Sequence, residues 1–348
     1  MSDNSGARAL ITGITGQDGA YLARFLLGKG YAVFGALRSS SPGALWRLTE
    51  LGIAEQVQLV QFDLTDYAGI EDAVRQVRPT EIYNLAAQSF VGSSFNRPLH
   101  VGEVNGMAVI RILEAIRQID SSIKLYQAST SELFGIAQTI PQHEGTPFHP
   151  RSPYGVAKLY GHYSVINYRE HYGLFACSGI LYNHESPLRG QEFVTRKITL
   201  GLARIKLGQQ EVLELGNLEA QRDWGYAAEY VEGMWRMLQQ EKAEDFVLAT
   251  GRAHSVQTFV AHSAEVAGLR LEWEGKGVEL HALDRDSGKV IVRVNPQFYR
   301  PAEAHQLVGD PARAHRVLDW RTTVNLAALC QLMVQADLER LMNGTLSG

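Results

Sequence analysis

The feature that most restricts the fold is a glycine-punctuated turn between the first apolar run and the first helical pattern. Arg8-Ala9-Leu10-Ile11 reads as a strand, Thr12-Gly13-Ile14-Thr15-Gly16-Gln17-Asp18-Gly19 follows it, and Tyr21 to Leu27 has helical spacing. Gly13 permits the tight turn, Gly16 lets backbone N–H groups approach a pyrophosphate, and Gly19 lets helix and strand pack closely. The helix N-terminus then favours the anion. The spacing is GxxGxxG rather than GxGxxG, and a simple loop is the competing reading. The position after a first strand and before a helix favours the nucleotide.

The same rhythm continues. Tyr31 to Leu37, Val57 to Phe62, Glu81 to Leu85, Ile123 to Tyr126 and Leu174 to Tyr182 read as strands. Tyr67 to Val77, ended by Pro79, reads as a helix, as does Leu99 to Gln118 with apolar Val101, Val104, Ala108, Ile112, Leu113 and Ile116. Alternation of this kind predicts an α/β fold, a right-handed, doubly wound parallel sheet. Arg38 closes the second strand about 20 residues past the glycines, where a free ribose 2′-hydroxyl calls for a carboxylate. An arginine there points to a 2′-phosphate and so to NADP; a surface arginine in the loop SSSPG is the alternative. Asp63 and Leu64 end the third strand where an adenine would lie, unless Asp63 only caps the following helix. Small residues after the fourth strand, within Leu85-Ala86-Ala87-Gln88-Ser89, permit close cofactor approach.

Past residue 182 the character changes. A helical Thr195 to Lys206, a strand-like Glu211 to Leu215, a helical Val231 to Gln239 and a strand Phe246 to Ala249 that returns to the sheet are expected. Residues 270–295 read as strands around the turn Asp286-Ser287-Gly288. The expected division is a dinucleotide-binding domain over 1–182, joined by returning segments near 222–252, and a smaller C-terminal α/β substrate domain over 183–348. No low-complexity linker separates them.

Composition narrows the function classes. A chain of 348 residues with 45% hydrophobic content supports full cores, and a formal charge of -4 from 33 basic and 37 acidic residues, with no basic cluster, argues against nucleic-acid or membrane partners. Cys177 and Cys330 sit in apolar segments without metal-ligand spacing, so buried thiols and no metal are expected. The opening MSDNSGA lacks a signal-peptide core and no apolar run approaches the roughly 20 residues of a membrane span, which makes the cytoplasm the expected address.

The chemistry concentrates between Tyr126 and Lys158. Ser129 to Glu132 forms a polar tip at the end of an apolar strand, facing a cleft. Tyr154 and Lys158, four apart on a helix started by Pro153, share one face. A phenol of ordinary pKa about 10 is a poor base at neutral pH, and a neighbouring cation favours the phenolate. Chance produces such surface pairs often, and a lone Glu132 is an ordinary solvated carboxylate. Their order downstream of a nucleotide fingerprint sets them apart.

With these motifs in view the chain resembles the extended short-chain dehydrogenase/reductase family and, more narrowly, the GDP-mannose 4,6-dehydratases. The segments TGITGQDGAYLA, YNLAAQSF, YQASTSELFG, RSPYGVAKLYGH, NHESPLRG, FVTRKIT, LGNLEAQRDWG and FYRPAEA carry the resemblance over nearly the whole chain. It implies that Thr130 hydrogen-bonds a sugar 4-hydroxyl, Tyr154 removes its proton, Lys158 holds the ribose and supports the phenolate, and Glu132 moves the C5 proton to the departing C6 hydroxyl. It implies bound NADP lined by Gly13, Ile14, Thr15, Gly16, Gln17, Asp18, Arg38, Asp63, Leu64, Leu85, Ala86, Ala87, Gln88, Ser89, Tyr154, Lys158, His184 and Arg189. It also implies GDP-mannose held by Ser89, Thr130, Glu132, Asn183, Lys197, Gly216, Asn217, Arg222, Arg300 and Glu303. Two departures stand out: Arg38-Ser39 replaces an arginine pair, which leaves NADP against NAD open, and His100 replaces a tyrosine. The resemblance implies a homo-oligomer and leaves dimer against tetramer open. A reductase or epimerase on a GDP-4-keto-6-deoxy-sugar would need Tyr154 and Lys158 but not the pairing of Thr130 with Glu132. A non-catalytic nucleotide-binding regulator would need none of the four.

Overall fold

The computed structural model describes residues 6–38, 43–299 and 307–345. Apolar runs broken by turn residues give β1 (Arg8–Thr12), β2 (Ala32–Leu37), β3 (Gln58–Gln61), β4 (Glu81–Asn84), β5 (Lys124–Ala128) and β6 (Ala176–Leu181). Then come β7 (Asn183–Glu185), β8 (Leu213–Leu215), β9 (Gln221–Tyr226), β10 (Phe246–Leu248), β11 (Ala253–Ser255), β12 (Leu271–Glu274), β13 (His281–Asp284) and β14 (Val290–Val294). Helices α1 (Gln17–Gly28), α2 (Trp46–Glu50), α3 (Tyr67–Val77), α4 (Val91–Ser94), α5 (Pro98–Gly102), α6 (Ala108–Ile119) and α7 (Pro153–Tyr172) alternate with the first strands. Later in the chain lie α8 (Val194–Lys206), α9 (Ala227–Leu238), α10 (Val256–Val266), α11 (Ala312–Val317) and α12 (Leu326–Asn343).

Seven strands form one parallel sheet in the order β10-β6-β5-β4-β1-β2-β3. Winding reverses between β1 and β4, and a sheet with such a switch point opens a crevice at the carboxyl ends of its strands. Both faces are covered, as parallel sheets require. Ala9, Ile11, Tyr83 and Tyr126 pack with residues of α1 and α9 on one face, and Leu10, Ile82 and Leu125 with residues of α3 and α6 on the other. The expected return of the chain is β10, paired with β6. The expected hairpin is β13 against β14, in a second sheet of order β12-β13-β14-β8. Cys177 and Cys330 are both buried.

Three local outcomes differ from sequence expectation. The segment expected as one helix over 99–118 is split by a π-turn, Glu103–Met107, between α5 and α6. There Asn105 accepts from Gln88 N–H at 2.9 Å and donates to its carbonyl at 3.1 Å, an exchange that a regular helix would not aim. Asp63 does not cap α3, whose N-cap position is Asp66; it accepts from the Thr65 amide and hydroxyl, both at 2.8 Å. The charged run at 221–225 lies within β9, between β7 and β11 in a third sheet, because Asp223 is fully buried and accepts from the Thr250 amide and hydroxyl and the Gly251 amide.

A buried ion cluster fastens α8 to α12. Arg196, 1% exposed, pairs with the fully buried Asp337 at 2.8 Å, and Arg340 pairs with both Asp337 and Glu50. Thr199 donates to the same carboxylate at 2.7 Å. Arg196 also donates to the carbonyls of Pro187 at 2.8 Å and Arg189 at 2.9 Å, so the cluster holds the loop after β7 against the sheet ends. Burial disfavours both charges, lowering the pKa of Arg196 and raising that of Asp337, so the pair persists through its hydrogen bonds. Asp337→Ala would leave the buried Arg196 without its carboxylate, while Arg340 keeps Glu50, and should cost about 3–5 kcal/mol. Urea unfolding should show the midpoint fall, and an unchanged midpoint would show that the cluster contributes little.

Candidate active site

The glycine turn is built by close backbone approach. Gly13 has φ +72, and a Cβ there would lie 2.8 Å from the Ala86 nitrogen. A Cβ on Gly19 would come within 2.3 Å of the Gly13 carbonyl oxygen, so α1 can sit on the turn only with glycine at that position. Gly16 is the N-cap of α1 and carries no side chain that would block the first-turn amides. These features fit a pyrophosphate. Ile14 differs from expectation: it is fully buried against Gly35 and does not line the cavity that runs along the strand ends.

One cavity of about 1270 Å³ runs along the strand ends. Gly13, Thr15, Gly16, Gln17 and Asp18 line it beneath α1; Arg38, Asp63 and Leu64 line it at the ends of β2 and β3; Leu85, Ala86, Ala87, Gln88 and Ser89 line it after β4. Arg38 is exposed at the end of β2 and helps to keep the Asp63 carboxyl below its usual range, after the larger effect of the Thr65 hydrogen bonds. The cavity also holds Thr130, Glu132, Tyr154 and Lys158, then Asn183, His184, Arg189, Lys197, Gly216, Asn217 and Arg222. His100 is part of its wall. Arg300 and Glu303 lie outside the described residues, as does Ser39.

The catalytic candidates come from two short, capped elements. Thr130 caps the 3-10 turn Ser131–Leu133, accepting from the Glu132 amide at 3.2 Å, which fixes the two residues relative to each other. Ser152 caps α7 by accepting from Gly155 at 3.0 Å, Pro153 occupies the first helical position, and Gly173 ends the helix with φ 68. Tyr154 and Lys158 therefore sit in the best-anchored turns of a 20-residue helix, both buried. Their electrostatics differ from the sequence reading. Burial pushes the Tyr154 phenol up to about 12, with the Thr130 hydroxyl pulling it down and the Glu132 charge pushing it up. Burial also lowers Lys158 to about 8, and its ammonium donates to the Ala128 carbonyl at 2.7 Å.

The loop after β6 forms the opposite wall. His184 bonds Asp18 at 2.8 Å and the Tyr182 carbonyl at 2.7 Å, and stacks on Tyr230 at 4.7 Å. Burial opposes charge on both partners, yet their attraction prevails, raising His184 and lowering Asp18. Gln17 donates to the His184 carbonyl at 2.8 Å and accepts from Ser186 at 2.8 Å, so the phosphate turn and this wall are one unit. Arg189 pairs with the buried Glu185 at 3.0 Å and lies over the Phe193 ring. In the other lobe Lys197 lies 4.5 Å from the centre of the Phe298 ring, and a Cβ on Gly216 would lie 2.5 Å from the Phe298 carbonyl oxygen.

Several wall residues are not singled out by the sequence. Arg151, Phe193 and Phe298 line the cavity as the first residues of segments that carry the resemblance, and Glu192 and Gln297 line it from outside every such segment. Arg47, from α2, donates to the carbonyls of Thr15 at 2.8 Å and Leu188 at 2.7 Å, joining both walls. It lies outside every periodic pattern read from the sequence.

The family model for GDP-mannose 4,6 dehydratase matches residues 10–333. A GDP-mannose 4,6-dehydratase of Sinorhizobium fredii strain HH103 is 50% identical over 96% of this chain and 97% of its own. The GDP-mannose 4,6 dehydratase of Homo sapiens is also 50% identical, over 95% and 91%. Among solved structures, dTDP-glucose 4,6-dehydratase from Bacillus anthracis in complex with NAD superposes with a TM-score of 0.79 at 18% identity, covering 97% of this chain and 98% of that one. RMD from Pseudomonas aeruginosa complexed with NADPH gives 0.77 at 20% identity, covering 96% and 99%. At such identities the structures speak for the fold, whereas the near-complete sequence matches place this chain in the GDP-mannose 4,6-dehydratase family.

Proposed function

We propose that the chain converts GDP-mannose to GDP-4-keto-6-deoxymannose and water, with NADP held between the glycine turn and the strand ends. The observation that carries this reading is the meeting, in one cavity, of a capped Thr130–Glu132 tip with Tyr154 and Lys158, beside a glycine turn at the N-terminus of α1. Simple oxidation or reduction needs only one proton-transferring group; elimination needs a second. A bound nicotinamide dinucleotide supplies the acceptor and later donor of hydride.

The chain's own residues do the rest. Thr130 orients the sugar 4-hydroxyl and Tyr154 takes its proton, with Lys158 holding positive charge beside the developing phenolate. Formation of the C4 ketone makes the C5 proton acidic. Glu132 removes it and delivers a proton to the C6 hydroxyl, which leaves as water and leaves a double bond between C5 and C6; return of the hydride to C6 and of a solvent-exchangeable proton to C5 completes the 6-deoxy product. Arg38 meets the 2′-phosphate, and Lys197 and Arg222 offer cations to the GDP diphosphate, as would Arg300. The chain acts as a homo-oligomer, a reading supported by Leu99, 86% exposed, and by the exposed stripe Val156, Tyr160 and Tyr163 at i, i+4 and i+7 on α7.

Incubation with GDP-mannose and NADP, read by mass spectrometry, should give a product lighter by one water, with no net accumulation of reduced cofactor. A recovered substrate of unchanged mass would refute the activity. Glu132→Gln should still reduce cofactor, because Thr130, Tyr154 and Lys158 are intact, but elimination should stall with a 4-keto-hexose still bound. In deuterated solvent the parent should place deuterium at C5 and the variant should not; normal dehydration by the variant would remove Glu132 from the mechanism. Arg38→Ala should weaken NADP by about tenfold or more while leaving NAD nearly unchanged. Equal weakening of both in a binding titration would mean that Arg38 does not read the 2′-phosphate.

A further inference from the structure

Three polar side chains that the steps above leave unused lie in one row beneath the cleft. Thr12, Asn84 and Gln127 stand near the carboxyl ends of β1, β4 and β5, paired in register as Thr12 with Asn84 and Asn84 with Gln127. They are 1%, 2% and 3% exposed, on the sheet face they share with Leu10, Ile82 and Leu125. Buried polar groups in strands otherwise apolar are costly unless every donor and acceptor is used.

Here the bonding runs one way. Thr12 Oγ1 accepts from the Leu85 and Ala86 amides, each at 3.1 Å, so its own proton is free to go to Asn84 Oδ1 at 2.7 Å. That sets the Asn84 amide, whose Nδ2 donates to Gln127 Oε1 at 2.7 Å. Gln127 Nε2 is then directed to the Ala128 carbonyl at 2.7 Å, the same oxygen that receives the Lys158 ammonium at 2.7 Å. The row thus begins at the cofactor-facing amides after β4 and ends on the acceptor of the catalytic lysine.

We propose that Gln127 is a positioning residue for Lys158: its carboxamide, locked by Asn84 and Thr12, fixes the carbonyl that aims the lysine ammonium into the cleft. The inference rests on the dehydratase reading above for the use made of Lys158, but not for the geometry. Among the described residues the Lys158 ammonium bonds a neutral acceptor, the Ala128 carbonyl, and burial lowers its pKa. The charged groups around this end of the cavity, Glu132 on the tip and Asp18 and Arg189 across it, act on the Tyr154 phenol of the same helix. Orientation of the ammonium accordingly falls to one carbonyl, and a carbonyl held from its other side cannot tilt away.

Two replacements test this. Gln127→Glu keeps the acceptor for Asn84 but places a carboxylate beside the ammonium and loses the donor to Ala128. The Lys158 titration, followed by NMR of 13C-lysine-labelled protein without cofactor or substrate and assigned with Lys158→Met, should move up by about one pH unit or more. Gln127→Leu removes the row's last link, and kcat for GDP-mannose should fall roughly ten- to a hundredfold with KM nearly unchanged. A merely structural glutamine would lower the unfolding midpoint of both variants and leave kcat where it was, and that result overturns the proposal; an unmoved Lys158 titration in Gln127→Glu would overturn the juxtaposition on which it rests. If Gln127→Leu does not fold, kcat in Gln127→Glu, which has lost the donor to Ala128, decides: a fall with KM nearly unchanged supports the row and an unchanged kcat overturns it. Absence of dehydration in the parent protein would count against the function, while the titration would still report on the row.

Discussion

The arrangement depends on how closely two backbones approach at the switch point of the sheet. With Gly13 against Ala86 and Gly19 against the Gly13 carbonyl, the first turn of α1, the end of β1 and the loop after β4 sit within contact of each other without any side chain between them. That contact opens α1's first amides to the crevice and brings Leu85 and Ala86 onto the Thr12 hydroxyl. The second wall is then built onto the first. Gln17 and Asp18, the first residues of α1, hold Ser186 and His184, while Arg47 ties Thr15 to Leu188. The cavity of about 1270 Å³ is in this sense an extension of one turn, and the Arg196–Asp337 cluster secures its far side.

What the sequence made legible follows from where the physics is local. Gly13 and Gly19 mark the turn through local physics, a positive φ at Gly13 and the Gly13 carbonyl against Gly19, although the Ala86 backbone that also crowds Gly13 is distant in sequence. Ser152, Pro153 and Gly173 mark the ends of α7 by capping chemistry that needs no tertiary context. Strand and helix alternation gave the sheet for the same reason. The rest depends on partners distant in sequence. β9 lies outside every strand read from the sequence, because its buried Asp223 is satisfied by residues near 250. The π-turn around Asn105 exists to reach Gln88, and Arg47 serves carbonyls from two other segments. Ile14 shows the opposite error, since adjacency to a phosphate turn says nothing about which way a side chain points. Gln127 had a signal that pattern reading passes over: a carboxamide in the middle of an apolar strand.

The direction of the pKa shifts shows what geometry adds to a motif. Four residues of spacing suggested a lysine whose charge lowers a phenol, yet burial acts on both groups and against both charges, raising Tyr154 to about 12 and lowering Lys158 to about 8. A cleft that disfavours isolated charge still tolerates a phenolate facing an ammonium, because the two together are neutral and attract strongly in a dry medium. Ionisation of Tyr154 is thus conditional on Lys158 being protonated and correctly aimed. The lysine's lowered pKa makes that condition fragile on the alkaline side, and among the described residues its ammonium is held by the Ala128 carbonyl.

The two proton-handling groups also have to remain distinct. Glu132 raises the Tyr154 phenol, so the carboxylate and the phenol already sense each other across the cavity. If either were on a mobile loop, a proton could pass directly between them and bypass the sugar. Each is instead held on an independently capped element, Tyr154 in the first turn of α7 and Glu132 one residue into the turn that Thr130 caps. Thr130 touches both: its oxygen accepts from the Glu132 amide, and its hydroxyl draws the Tyr154 phenol down against burial. One threonine therefore sets the carboxylate's position and moderates the phenol's basicity, so the two groups share a single point of attachment although they stand on different elements.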